Sequence, residues 1–162
     1  MPSSKEEMRA IAVAFCQAFV DGLSPDTILS EYFTSEPRIT EHGPRNSELP
    51  FLGKTFLGRK FGSSSTQTCD DYFGILSKSL KFEPSPTTFP PPESFIVDET
   101  CEVNGTKGMV SVVGSATFRS LKTGKAWDEQ FIYRLSEFDA DGKIGHWEIW
   151  ADTLSAWNAV HA

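Results

Sequence analysis

The residues of this 162-residue chain best suited to chemistry are acids set among aromatic rings near its C-terminal end. Side chains alternate between the two faces of a strand. The run Trp127-Asp128-Glu129-Gln130-Phe131 therefore puts Glu129 between Trp127 and Phe131 on one face. The run Lys143 to Asp152 alternates in the same way. If Asp139-Ala140-Asp141-Gly142 is a tight turn, Phe138 pairs with Lys143, Phe131 lies opposite Trp150, and Glu129 lies opposite Asp152. A carboxylate on an apolar face is costly unless it is paired. Two neighbouring carboxylates cannot both ionise cheaply, so one pKa rises. Glu129 beside Asp152 would then hold a proton near neutral pH and serve as a general acid. Trp127, Phe131 and Trp150 would wall a site for a flat ring system.

Upstream, Arg38-Ile39-Thr40-Glu41-His42 alternates and reads as a short strand closed by Gly43-Pro44. Arg38, Thr40 and His42 share one of its faces. If that face looks into the same cavity, Arg38 is a fixed positive charge that can steady an oxyanion or hold a substrate carbonyl. His42 would then sit at the rim. Tyr72 belongs to a helix whose core side could also meet a ligand. Plainer readings stand beside these. Glu129 could be an ion-pair partner of Arg38, and Asp152 could cap a helix starting at Thr153. Trp127, Phe131 and Trp150 could be ordinary core. His42, His146 and His161 show no metal-ligand spacing, so no metal site is expected.

Several elements must position these groups. Ser3 or Ser4 can cap a first helix, with Ser3 and Glu6 at capping-box spacing. Its apolar stripe is Met8, Ile11, Ala12, Phe15, Phe19 and Leu23, and Gly22 suits its end. Ser24-Pro25 starts a short second helix. Residues 44–66 look irregular, with Gly53, Gly58, Gly62 and Ser63 to Ser65. Tyr72, Phe73, Leu76 and Leu80 mark a third helix after a capping box at Thr68–Asp71. A proline-rich loop, Pro84 to Pro92, follows.

The character then turns to β. Strands are expected from Phe95, over 108–119, over 126–138 and over 143–152, separated by turns at Asn104-Gly105, Thr123-Gly124 and Asp139–Gly142. The Thr123-Gly124 turn places Phe118 near Glu129 and Ala116 near Phe131. One face then carries Val110, Val112, Gly114, Ala116, Phe118, Trp127, Glu129, Phe131, Tyr133, Leu135, Ile144, His146, Glu148, Trp150 and Asp152. The other is mostly polar, with Val113, Ile132, Trp147 and Ile149 as a patch that could serve a dimer. Small Gly114 and Ala116 would leave space for a ligand. Helices first and an antiparallel meander after make an α+β chain.

Composition narrows the partners. Length fits one domain, 1–162. The formal net charge of −7, with no basic cluster, lacks the footprint of a nucleic-acid binder. No stretch nears the ~20 apolar residues of a membrane span. The charged N-terminus is wrong for a secretory signal, and Cys16, Cys69 and Cys101 read as free thiols. The expected location is cytoplasmic.

This order of elements resembles the NTF2-like superfamily, in particular its SnoaL-like branch. The ending Lys143-Ile144-Gly145-His146-Trp147-Glu148-Ile149-Trp150-Ala151-Asp152-Thr153-Leu154 looks like that branch's last strand. The resemblance covers most of the chain. It implies a cone in which a strongly curved antiparallel sheet packs on three N-terminal helices around a pocket. Within the branch the chain looks most similar to small fungal cofactor-free isomerases of indole alkaloid assembly, of the semipinacolase type. That likeness implies a first-strand Arg and a sheet Glu as catalytic residues, here Arg38 and Glu129, with no cofactor. The implied reaction is an acid-assisted, semipinacol-type rearrangement of an oxidised indole or similar polycycle. A dehydratase or ketosteroid-isomerase-like enzyme, a ligand-binding module, or an interaction domain with a filled cone are the alternatives. A homodimer is compatible with all of them.

Overall fold

The computed structural model describes residues 4–61 and 67–161. Ser3, Gly62 and Ser63 to Ser65 lie outside the described residues, as do both ends of the expected 1–162 domain. Helix α1 spans Lys5–Val20. Its capping box is Ser4–Glu7: the Glu7 N–H donates to Ser4 Oγ, and the Ser4 N–H donates to the Glu7 carboxylate. Met8, Ala12 and Phe15 are buried as the stripe requires. The helix ends on Gly22 at φ +70°, with the Gly22 N–H donating to Phe19 O and the Leu23 N–H to Ala18 O. This closing turn needs a left-handed residue, which glycine supplies without strain. It feeds α2, Pro25–Tyr32, capped by Ser24.

Strand β1 runs from Phe33 to His42, twice the expected length. A short β2, Thr55–Leu57, lies in the stretch expected to be irregular. Helix α3 is Cys69–Ser79, and Leu80, expected to close that helix, instead opens β3, Leu80–Glu83. The proline-rich loop holds only one 3-10 turn, Pro92–Ser94. Strands β4 (Ile96–Val103), β5 (Thr106–Ser120), β6 (Ala126–Ser136) and β7 (Ile144–Trp150) follow, and α4 (Thr153–Val160) ends the described chain. The strongly curled sheet has the order β2-β1-β7-β6-β5-β3, with β4 also on β5. All pairs are antiparallel except β1 with β7. Helices α1 and α3 bury their apolar sides on its concave face. Trp147 is the hub there, in ring contact with Phe15, Phe19, Tyr72 and Tyr133.

Two register differences have opposite consequences. Across the Thr123-Gly124 turn, Ala116 pairs with Glu129 and Phe118 with Trp127. This is two residues from the expected pairing, so every side chain keeps its face. Across the next turn, Ile132 rather than Phe131 faces Trp150, and Tyr133 faces Ile149. This is a shift of one residue, which flips β7 completely. The cause is the Asp139 side chain. Its Oδ1 accepts the N–H groups of Asp141 and Lys143, and its own N–H donates to Lys143 O. Asp139, not Phe138, therefore faces Lys143 across a three-residue loop whose last member, Gly142, has φ +80°. Trp147 and Ile149 point into the concave side. His146, Glu148 and Trp150 point away from it.

The three cysteines are free thiols. Burial pushes the Cys69 thiol up to about 12 and Cys16 well above its usual value, so both are poor nucleophiles. Among the described residues no helix is long and apolar enough to cross a membrane.

Candidate active site

Between the concave face of the sheet and the helices lies a cavity of ≈ 540 Å³. That volume suits a small aromatic or polycyclic ligand. Phe19, Phe73, Phe131, Tyr133, Trp147 and Ile149 form much of its wall. Gly114 and Ala116 are not the source of the space. A side chain at Gly114 would collide with the rings of Phe131 and Phe89, so aromatic packing already fills that position.

Two glutamic acids stand in this apolar wall, Glu41 from β1 and Glu129 from β6. Glu41 is buried, and Tyr72 on α3 donates its phenol O–H to Glu41 Oε1 at 2.7 Å. Burial pushes its pKa up to about 7; the Tyr72 bond pulls it down, and the Glu129 charge adds to the rise. Glu129 is also buried, yet both its oxygens have donors. Trp127 Nε1–H donates to Oε1 at 3.2 Å, and the Asp152 backbone N–H donates to Oε2 at 2.7 Å. Burial again raises its pKa; the two donors oppose the rise, and the Asp152 charge adds to it. Hydrogen bonds to a carboxylate favour its ionised form. Both acids are raised, but Glu129, with two donors, is the better stabilised as an anion, and Glu41, with one, keeps its proton to higher pH. Two acids whose surroundings separate their proton affinities are the arrangement needed for one base and one acid.

Trp147 lines the cavity, and its buried Nε1–H has no hydrogen-bond partner among the described residues. A buried donor left unpaired costs about 1–3 kcal/mol.

The sequence candidates divide between the two faces. Glu129, Tyr72, Phe131 and Asp152 border the cavity. The Asp152 carboxylate is occupied as the cap of α4, accepting from the Ser155 N–H at 3.0 Å and from Ser155 Oγ at 2.5 Å. Trp127 sits behind Glu129 as its donor and stacks on Phe118. Arg38, His42 and Trp150 are on the opposite, convex face. Arg38 pairs with Glu137 there. The His42 ring stacks on Trp150 at 4.2 Å and bonds to Glu148, which Arg134 also holds. His146 bonds to Thr40 at 2.9 Å, and burial lowers its pKa to about 4. The expected union of Arg38 with Glu129 in one pocket therefore does not form. Alternation along β1 puts Ile39 and Glu41 on the inside and Arg38, Thr40 and His42 on the outside. The apolar Ile39 was the signal: the face it occupies must be the buried one, and Glu41 shares it.

No protein-family model matches the sequence, and no curated protein matches it. Solved structures do. An NTF2-like protein from Burkholderia xenovorans aligns over 98% of each chain with a TM-score of 0.63 at 18% identity. The chain has the NTF2-like fold. A second match is TerC co-crystallised with polyporic acid, with a TM-score of 0.63 and 18% identity over 96% of this chain and 99% of that one. A protein from Xanthomonas campestris provisionally named a polyketide cyclase gives 0.62 and 13% identity over 98% and 99%. At these identities the likeness is one of NTF2-like architecture. It extends to the hollow cone but not to a reaction.

Proposed function

We propose that this chain is a cofactor-independent isomerase or cyclase acting on a neutral, flat, oxygenated polycycle. The observation that carries this reading is the pair Glu41 and Glu129 in one apolar cavity, with opposite hydrogen-bond endowments. Glu129 takes a proton from the substrate. Glu41, oriented by Tyr72, gives one to a substrate oxygen or carbon. Proton transfer of this kind by positioned side chains is worth about a hundred- to ten-thousand-fold in rate. The names of structural neighbours, a polyketide cyclase and a protein holding polyporic acid, point to ligands of the same shape.

The semipinacol-type rearrangement of an oxidised indole is the specific member of this class that the sequence resemblance suggests. In that version Glu41 with Tyr72 supplies the acid, and Arg38 has no part, because its side chain is on the other face. We also propose a homodimer through the convex face, where Val113, Ile132 and Trp150 make an exposed apolar row across three paired strands.

The test is turnover of an oxidised prenylated indole, followed by product chromatography, with wild type, Glu41→Gln, Glu129→Gln and Arg38→Ala. The expected result is a faster or stereoselective rearrangement, lost in both Gln variants and kept in Arg38→Ala. Product equal to that formed in buffer would reject the indole as substrate. Full activity in both Gln variants would reject the acid–base pair.

A further inference from the structure

Glu129 borders a second space that Glu41 does not reach. Strand β5 has β6 along one edge. On its other edge, β4 pairs with it as far as Ser111 and β3 takes over from Thr117. Residues 112–116 have no strand partner on that side. The proline-rich loop bridges this gap, with the Ser115 N–H donating to Thr88 O at 2.8 Å. Beneath the loop is a cleft of ≈ 220 Å³ bordered by Ser85, Thr87, Ser115, Thr117, Asp128 and Glu129, with Glu83 and Ala116 completing it. It differs from the large cavity in that seven of its eight bordering residues carry a hydroxyl or a carboxylate. Ser85, Thr87 and Ser115 are exposed, so the cleft opens to solvent. Ala116 is the direct strand partner of Glu129. Its side chain is a single methyl, the smallest obstacle a residue other than glycine can set between the cleft and Glu129.

We propose that this cleft is a water-filled proton path to Glu129, separate from the mouth through which a substrate enters the large cavity. The inference rests on the acid–base reading above and completes its proton balance. In each turnover Glu129 gains a proton from substrate and Glu41 loses one to it. With product still bound, the apolar cavity offers no exit for the proton on Glu129. The cleft does: the proton passes to water there and Glu129 returns to its anion. Glu41 has no contact with the cleft and regains its proton when product leaves by the mouth. The hydrogen removed by Glu129 is therefore lost to solvent rather than carried into the product.

The other charged and titratable groups around Glu129 are accounted for. Glu83 is paired with Arg119 at 3.0 Å, and Asp128 accepts from Thr117 at 2.6 Å. Asp152 caps α4, and Glu41 and Tyr133 face Glu129 from the cavity side.

The test needs no substrate, so it stands whether or not the isomerase reading does. Protein labelled with 13C at glutamate Cδ is titrated by NMR, with the Glu129 and Glu41 signals identified by their loss in Glu129→Gln and Glu41→Gln. Ser85→Leu and Thr87→Leu, each at an exposed loop position, fill the cleft with an apolar side chain. Water withdrawn from a carboxylate raises its pKa. The expected result is a rise of about one pH unit for Glu129 in either variant, with the Glu41 midpoint unmoved. An unmoved Glu129 midpoint in both folded variants would overturn the proposal. So would equal shifts of Glu129 and Glu41, which would mean that the two acids share one route to solvent.

Discussion

Glu41→Gln should make the stability of this protein less dependent on pH. An acid whose pKa is raised by folding binds its proton more tightly in the native state. The native state then holds more protons than the unfolded chain between the two pKa values, so stability falls as pH rises through that window. For Glu41 the window runs from 4.5 to about 7. Full ionisation costs about 3 kcal/mol above it, at about 1.4 kcal/mol per pH unit. Gln keeps the shape, and its carbonyl still accepts from Tyr72, but it cannot ionise. Its amide N–H groups bring their own burial cost of about 1–3 kcal/mol, equal at every pH. The informative quantity is therefore the change in the variant-minus-wild-type difference between pH 5 and pH 8. We expect Gln to gain about 2–3 kcal/mol on wild type over that interval. Urea unfolding at both pH values reads it as a relative midpoint shift on the order of 1 M. A difference constant to within about 0.5 kcal/mol would refute the reasoning, because Glu41 would then titrate alike in both states.

Tyr72→Phe removes the one donor that favours ionised Glu41. Its pKa should climb above about 7 by a further one to two pH units, read by 13C NMR of the Glu41 carboxyl. Asp152→Ala should cost about 1 kcal/mol of stability by uncapping α4. It should also lower the Glu129 pKa, because the repelling charge goes while the backbone donor stays. Gly145→Ala would drive a methyl into the backbone carbonyl of Glu137 and to 2.9 Å from its Cβ. Backbone cannot yield as a side-chain tip can, so a loss of about 1–3 kcal/mol is expected in denaturant unfolding.

Much of the cone is decided by local chemistry. Ser24-Pro25, Thr68 and Asp71, Gly22 and Asn104-Gly105 fix where elements start and stop, because caps and left-handed turns depend only on nearby residues. The concave faces of β5 and β6 are equally legible. Val110, Val112, Phe131, Tyr133 and Leu135 alternate with more exposed residues, polar apart from Val113 and Ile132, and a two-residue error in pairing leaves that alternation intact. Glu129 falls on the cavity face for this reason, with Phe131 beside it. β2 and β3 were not legible: three- and four-residue strands gain their pairing from β1 and β5 rather than from their own sequence.

What the tertiary structure alone decided is which face of β7 enters the cavity. Strand β7 is buried along nearly its whole length on both faces, so apolar alternation could not choose between Trp147 with Ile149 and His146 with Trp150. The choice fell to Asp139, whose side chain closes the preceding loop one residue from where a four-residue turn would. The parallel neighbour β1 then follows β7, carrying Glu41 inward and Arg38 outward. Proton affinity followed from the same placement. Glu41 and Arg38 are three residues apart in one strand, and only their placement on opposite faces makes one an acid of raised pKa against a cavity and the other an ion-paired cation. Local sequence sets how a side chain alternates. Contacts from distant segments set which face is dry, and dryness decides where the proton sits.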